Sequence, residues 1–151
     1  MKAHIGADAK SGLTHTLVTT AGNVSDVTQT HNLLHGDEKM VSGDAGYQSA
    51  DKRPENAGKA DTWHIAMKRS VRKAMKKNPL GRAKEKLEKA KASVRAKVEH
   101  PFHVLKNLFR HRKTRYRGLA KNTAQLHTLF AFANLVLAGR TFGSAHARTP
   151  S

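Results

Sequence analysis

Cysteine is absent from the 151 residues, which excludes disulfides and any thiolate-bound metal. That suits a reducing compartment and sets the expectation of a cytoplasmic protein. No secretory leader is expected either, because MKAHIGADAK has no apolar core of the required length. Long apolar runs are scarce. The longest, LFAFANLVLA at Leu129 to Ala138, is about half of the roughly 20 residues that span a bilayer, and it includes Asn134. It predicts a buried helix and no membrane contact. Acidic residues are the last shortage: 11 of them stand against 28 lysines and arginines, giving a net charge of +17 and a pI near 10.7.

The cationic excess is confined to one block. Residues 1–67 carry 6 basic and 8 acidic side chains, residues 68–121 carry 20 and 3, and residues 122–151 carry 2 and 0. Charge concentrated in this way is the electrostatic footprint of a polyanion binder, and nucleic acid is the expected partner. A membrane surface fits less well, since no continuous apolar face of Trp, Phe and Leu backs the block. The length suits one domain with a sizeable core.

Along the chain, residues 2–8 alternate, with Ala3, Ile5 and Ala7 on one face and Lys2, His4 and Asp8 on the other. With LTHTLVTT at Leu13 to Thr20 they predict a hairpin turning near Gly12. A short helix follows, with Ser25 as N-cap, Asp26 in its first turn and Gly36 at its end. Lys39 to Gly43 reads as a buried strand that delivers Asp44 at its carboxyl end, where ligands collect in α/β sheets. Asp44 reads equally as a loop aspartate capping the next turn. Asp61 to Met67 is the last strand candidate, and its His64 reads as a sheet histidine, not a ligand. From Lys68 the pattern is helical and basic, broken at Asn78, Pro79 and Gly81, with one apolar stripe through Leu87, Val94, Val98, Phe102 and Leu105. In NLFRHRKTRYR, Leu108, Phe109 and Tyr116 stand among five lysines and arginines, a pattern that suits phosphate contacts or a solvated face with core anchors. Asn122 or Thr123 caps a final helix that Gly139 stops, and the tail from Gly143 is expected to be disordered.

The organising stretch is VRAKVEHPFHVLK, Val94 to Lys106. Glu99 is one of three acids between Lys68 and Lys121 and is a hard oxygen ligand suited to Mg²⁺. Arg95 lies four before it and Lys106 seven after, which places all three within roughly 40° on a regular helix. Pro101 lacks an N–H and clashes with the carbonyl of Lys97, so a kink or a fresh helix start is expected there. Two readings stand: a solvated face with an Arg95–Glu99 ion pair, or a metal-binding carboxylate flanked by phosphate-binding cations.

MKAHIGADAKSGLTHTLVTTAGNVSD, GDAGYQS, VRAKVEHPFHVLK, RYRGLAKN and LFAFANL, in that order, resemble the carboxyl-terminal part of bacterial insertion-sequence DDE transposases. The resemblance covers about residues 1–142 and implies an α/β, ribonuclease H-like catalytic domain. By that resemblance Asp44 is the second catalytic aspartate and Glu99 the glutamate, both binding Mg²⁺. Arg95 and Lys106 match the basic, DNA-contacting positions of the family's tyrosine–arginine–glutamate–lysine signature, whose tyrosine position falls on Ala92. Nothing matches the first aspartate, because Asp8 is on the wrong strand. The expected fold is therefore incomplete, lacking its first and central strand and followed by basic helices. Two free strand edges are then expected, with the residue 2–20 hairpin separated from Lys39–Gly43 and open to pairing with another chain. The expected function is that of a transposase fragment, bacterial and cytoplasmic, which binds DNA with incomplete catalysis. The alternative is a small basic non-enzymatic nucleic-acid-binding protein.

Overall fold

The computed structural model describes residues 1–74 and 79–146, with side chains as far as residue 140. It is a mixed α/β chain in two compact units. One is formed by Met1–Gly22 with the chain from Lys97 onward, the other by Asn23–Ala96.

In the first unit the alternating residues form β1 (Lys2–Ala7), antiparallel to β2 (Thr14–Thr20), with Ile5 opposite Leu17. The hairpin loop is built by Asp8. Its Oδ1 accepts the N–H of Lys10 at 3.1 Å, and the N–H and hydroxyl of Ser11 at 2.6 and 2.7 Å. Gly12 adopts φ +75°, a left-handed conformation that only glycine takes readily. Ala3, Ile5 and Leu17 face the core as expected. His4, assigned to the outer face, is also buried, because its ring bonds the Thr20 hydroxyl at 2.8 Å.

Against this hairpin lie the end of α3 (Pro79–His103) and α4 (Leu119–His146). Val104, Leu105, Leu126, Phe130 and Ala133 form the buried cluster, and Phe102 meets Phe130 edge-to-face with centroids 5.3 Å apart. Of the kink or fresh start expected at Pro101, the fresh start does not occur. The helix runs through it, and burial of the ring offsets the lost hydrogen bond. The irregularity appears just afterwards as a π-turn, Val104–Leu108, in which Phe109 N–H reaches Val104 C=O at 3.1 Å. α4 begins at Leu119, so Asn122 lies inside it and does not cap it, and it passes through Gly139 without stopping. Residues 143–146 of the expected tail are helical, and residues 147–151 lie outside the described residues. The Leu129–Ala138 run is buried on one side only: Phe132 and Leu135 are exposed.

In the second unit β3 (Glu38–Gly43) pairs in parallel with β4 (Ala60–Ile65), Val41 opposite Trp63 and Gly43 opposite Ile65. Parallel strands need a crossover, and three 3₁₀ turns between residues 45 and 56 provide it. The helix expected from Ser25 is a 3₁₀ turn, Asp26–Gln29, followed by α1 (Thr30–Leu33), and Ser25 makes no side-chain cap. The Glu38 carboxylate instead takes the N–H groups of His35 and Gly36 at 2.7 and 2.9 Å. The region expected to break at Pro79 and Gly81 is interrupted after α2 (Arg69–Lys73), residues 75–78 lie outside the described residues, and Gly81 sits within α3. Pro79 is the first described residue of that helix. Leu87 was placed on the apolar stripe, but it is exposed and Glu88 is buried in its stead. Glu88 accepts the Met67 N–H at 2.9 Å and the Lys91 ammonium at 2.9 Å, and Lys91 also donates to Ile65 C=O at 3.1 Å. Burial opposes ionisation of Glu88, yet these bonds prevail and hold its carboxyl below the ordinary range.

The sheets are two-stranded and separate, β1–β2 and β3–β4, and no strand pairing joins them among the described residues. The separation of the hairpin from Lys39–Gly43 is thus as expected.

Two stability predictions follow from these clamps. Asn134 holds the Thr14 main chain, accepting its N–H at 2.9 Å and donating to its C=O at 2.7 Å. Asn134→Ala should therefore cost about 1–3 kcal/mol, read as a lowered melting temperature, and an unchanged melt would mean that the clamp is idle. A depressed carboxyl pKa stabilises the fold above its unfolded value and is lost as pH falls through the folded one. Acid should therefore destabilise wild type below the ordinary glutamate range, and Glu88→Gln should flatten that dependence in melts recorded across pH.

Candidate nucleic-acid interface and carboxylate positions

Asp44 follows β3 directly, and its local environment is built by Gly43, Gly46 and Tyr47. Its Oδ1 accepts the Gly46 N–H at 2.8 Å and so caps the 3₁₀ turn Ala45–Tyr47. The capping role is present, and it orients a carboxylate that stays exposed. A Cβ on Gly46 would stand 3.0 Å from that oxygen, a contact tight enough that the Asp44 carboxylate would have to shift by a few tenths of an ångström. The same point is 3.8 Å from Oδ2 of Asp26, which brings a second carboxylate to the end of β3. Tyr47 registers both: burial, then the charges of Asp26 and Asp44, push its phenol up to about 12. Sequence reasoning assigned Asp26 only to a helix start. The 17 residues between it and Asp44 offer no periodic signal that would join them.

Arg95 and Glu99 are successive turns of α3, Arg95 half-buried and Glu99 exposed. The i,i+4 ion pair that the bland reading required is not formed, and neither side chain has a hydrogen-bond or charge partner among the described residues. Lys106 lies in the π-turn and is exposed. A π-turn closes i→i+5 hydrogen bonds, so fewer degrees separate successive residues, and the regular-helix phase calculated between Glu99 and Lys106 does not hold. Asp44 and Arg95 belong to the second unit, Glu99 and Lys106 to the first. Asp8, whose one oxygen is taken by three loop donors, is a structural residue; the Ser11 hydroxyl foremost, then the Ser11 N–H, hold its carboxyl below the ordinary range.

Carboxylate and water suit Mg²⁺, and Asp44 and Glu99 are donors of that type. Among the described residues, however, no three His, Asp or Glu side chains gather as a metal-holding group. The side chains present do not fit a site for two ions.

The cationic surface of the first unit is more complete. Lys106, Arg110, Arg112, Lys113, Arg115, Arg117 and Lys121 are all exposed, and no acid follows Glu99 in the sequence. The loop is shaped by specific bonds. His111 N–H reaches Leu105 C=O at 2.9 Å, and Arg110 takes the left-handed φ of +52°. His111 is held below its usual pKa by burial first and by Arg115 second. Of the three apolar residues interleaved here, Phe109 packs on the core, while Leu108 and Tyr116 are exposed. One core anchor among exposed residues fits the solvated-face reading as well as it fits phosphate contacts.

No solved structure matches the chain. No helix among the described residues is long and apolar enough to cross a membrane. The model of the transposase DDE domain family matches residues 1–135, about nine-tenths of the sequence, and spans both units. With Asp44 at the strand end and Glu99 on the helix that the motifs indicated, the chain belongs to the transposase DDE domain family.

Proposed function

We propose that this chain is part of an insertion-sequence transposase that binds DNA through its phosphates and lacks a complete catalytic centre. The observation that carries the reading is the exposed run from Lys106 to Lys121, seven cations with no carboxylate to neutralise them. Arg95, without an ion-pair partner among the described residues, is a further phosphate-binding candidate beside Lys106. Phosphate contacts of this kind fix register and supply affinity without reading sequence.

The fold supports the same reading. The antiparallel β1–β2 pair and the parallel β3–β4 pair agree in order and direction with the second to fifth strands of a ribonuclease H-like sheet. The first strand of that fold carries the family's first aspartate, and no described strand takes its part. Residues 1–142 are read as this partial catalytic domain. Asp44 and Glu99 are proposed as its second and third carboxylates. Bound Mg²⁺ in this class lowers the barrier by activating a hydroxyl and stabilising the leaving oxygen. This chain's own residues would contribute one carboxylate oriented by Gly46 and another on α3, and no cleavage step follows from them alone. The free edges of β1 and β3 are proposed as sites of self-association. The non-enzymatic alternative accounts for the basic loop but not for the family match over both units.

DNA affinity should be salt-sensitive and indifferent to sequence. With six to ten phosphates engaged, binding measured between 50 and 200 mM salt should weaken about 10³–10⁵-fold, and a flat salt dependence would refute the phosphate reading. Given Mg²⁺ or Mn²⁺ and any DNA end, the chain alone should neither nick nor join strands in a gel assay. Metal-dependent cleavage that disappears in Glu99→Gln would contradict the incompleteness while confirming Glu99.

A further inference from the structure

Tyr116 and the first half of α4 line a shallow groove, with Lys121, Ala124, Gln125, Thr128, Leu129 and Phe132 around it. Its two rings are unusually open: Tyr116 is 51% and Phe132 53% exposed. Aromatic rings normally bury much of their area, so two left open in one groove call for an occupant. Tyr116 is also held in place. Its N–H donates to Asn122 Oδ1 at 3.2 Å, its C=O accepts from Asn122 Nδ2 at 2.7 Å, and Asn122 itself is buried. A side chain on so fixed a backbone loses little freedom when something packs on it.

Charge decides the class of occupant. Lys121 lines the groove, Arg115 and Arg117 flank Tyr116, and no acid lies beyond Glu99. A second copy would meet this surface with the same cations, and a basic peptide would be repelled. The lining is largely apolar, and the Thr128 hydroxyl is turned inward to Ala124 C=O at 3.3 Å. Flat, apolar and edged by cations, such a surface matches the face of a nucleobase with its phosphate alongside. Duplex DNA keeps those faces stacked and hidden. We propose that this groove stacks unpaired bases of single-stranded DNA, with Tyr116 and Phe132 as platforms and Lys121 on the adjoining phosphate. The inference rests on the DNA-binding reading above and adds to it a preference for unpaired strands.

The test is fluorescence anisotropy of the full chain with a labelled oligothymidine and with a duplex of equal length. Tyr116→Ala and Phe132→Ala should each weaken the single strand roughly 5- to 150-fold and leave duplex affinity and its salt slope unchanged. Tyr116→Phe should retain wild-type binding, and Phe132→Leu, apolar but without a ring, should behave as the alanine does. Equal losses on both DNAs, no loss on the single strand, or sedimentation showing that Phe132→Ala merely dissociates an oligomer would each overturn the proposal. If wild type binds neither DNA, the phosphate reading falls and this inference with it. If wild type binds duplex but single-strand binding does not depend on the rings, only this inference falls.

Discussion

A two-stranded sheet is barely stable by itself, because it hides little area and leaves main-chain groups at its ends without partners. This chain contains two such sheets, and in each a helix side chain takes the place of the missing neighbour. Asn134 on α4 exchanges two hydrogen bonds with the Thr14 main chain, as a paired strand residue would. Glu88 and Lys91 on α3 receive the Met67 N–H and cap the Ile65 C=O where β4 ends. Lys97 does likewise for the hairpin loop, donating to the carbonyls of Ala9 and Lys10 at 3.0 and 3.2 Å. Without these clamps each sheet would rest on one face of apolar contacts.

The same economy of strands shapes the functional surface. β4 exits beside β3 with Ala66 N–H on Gly43 C=O at 2.9 Å, so the Glu88–Lys91 pair supports the turn that presents Asp44. A carboxylate fixed by a neighbouring N–H keeps its remaining oxygen available, which is what a metal ligand needs. One such group does not make a catalytic centre. The basic loop after the π-turn follows no strand, and its exposed cations lie within the first unit.

Much of the fold was legible in the sequence. The hairpin showed in its alternation and its Gly12 turn, and β3 and β4 as short strand candidates before Asp44 and Met67, although Lys39 and Met40 of the strand expected to be buried are exposed. The π-turn was not legible, because no residue pattern in Val104–Leu108 distinguishes i→i+5 from i→i+4 bonding. Glu88 was missed because helical periodicity favours Leu87 as the inward residue, while a buried carboxylate pays off only once Met67 and Lys91 stand beside it. Asp44 and Glu99 were singled out by motif and not by spacing, since each also fits an ordinary cap or a solvated face. Asp26 carried no local sign of its place near Asp44: only the fold brings it there.

If helix side chains complete the small sheets, the amides they cover should be protected from solvent. Hydrogen exchange followed by NMR at Thr14 and Met67 measures this directly. Both amides should exchange far more slowly than an open loop amide such as Gly22, with Thr14 losing protection in Asn134→Ala and Met67 in Glu88→Ala. Exchange of Thr14 and Met67 at loop rates in the wild-type protein would contradict the account.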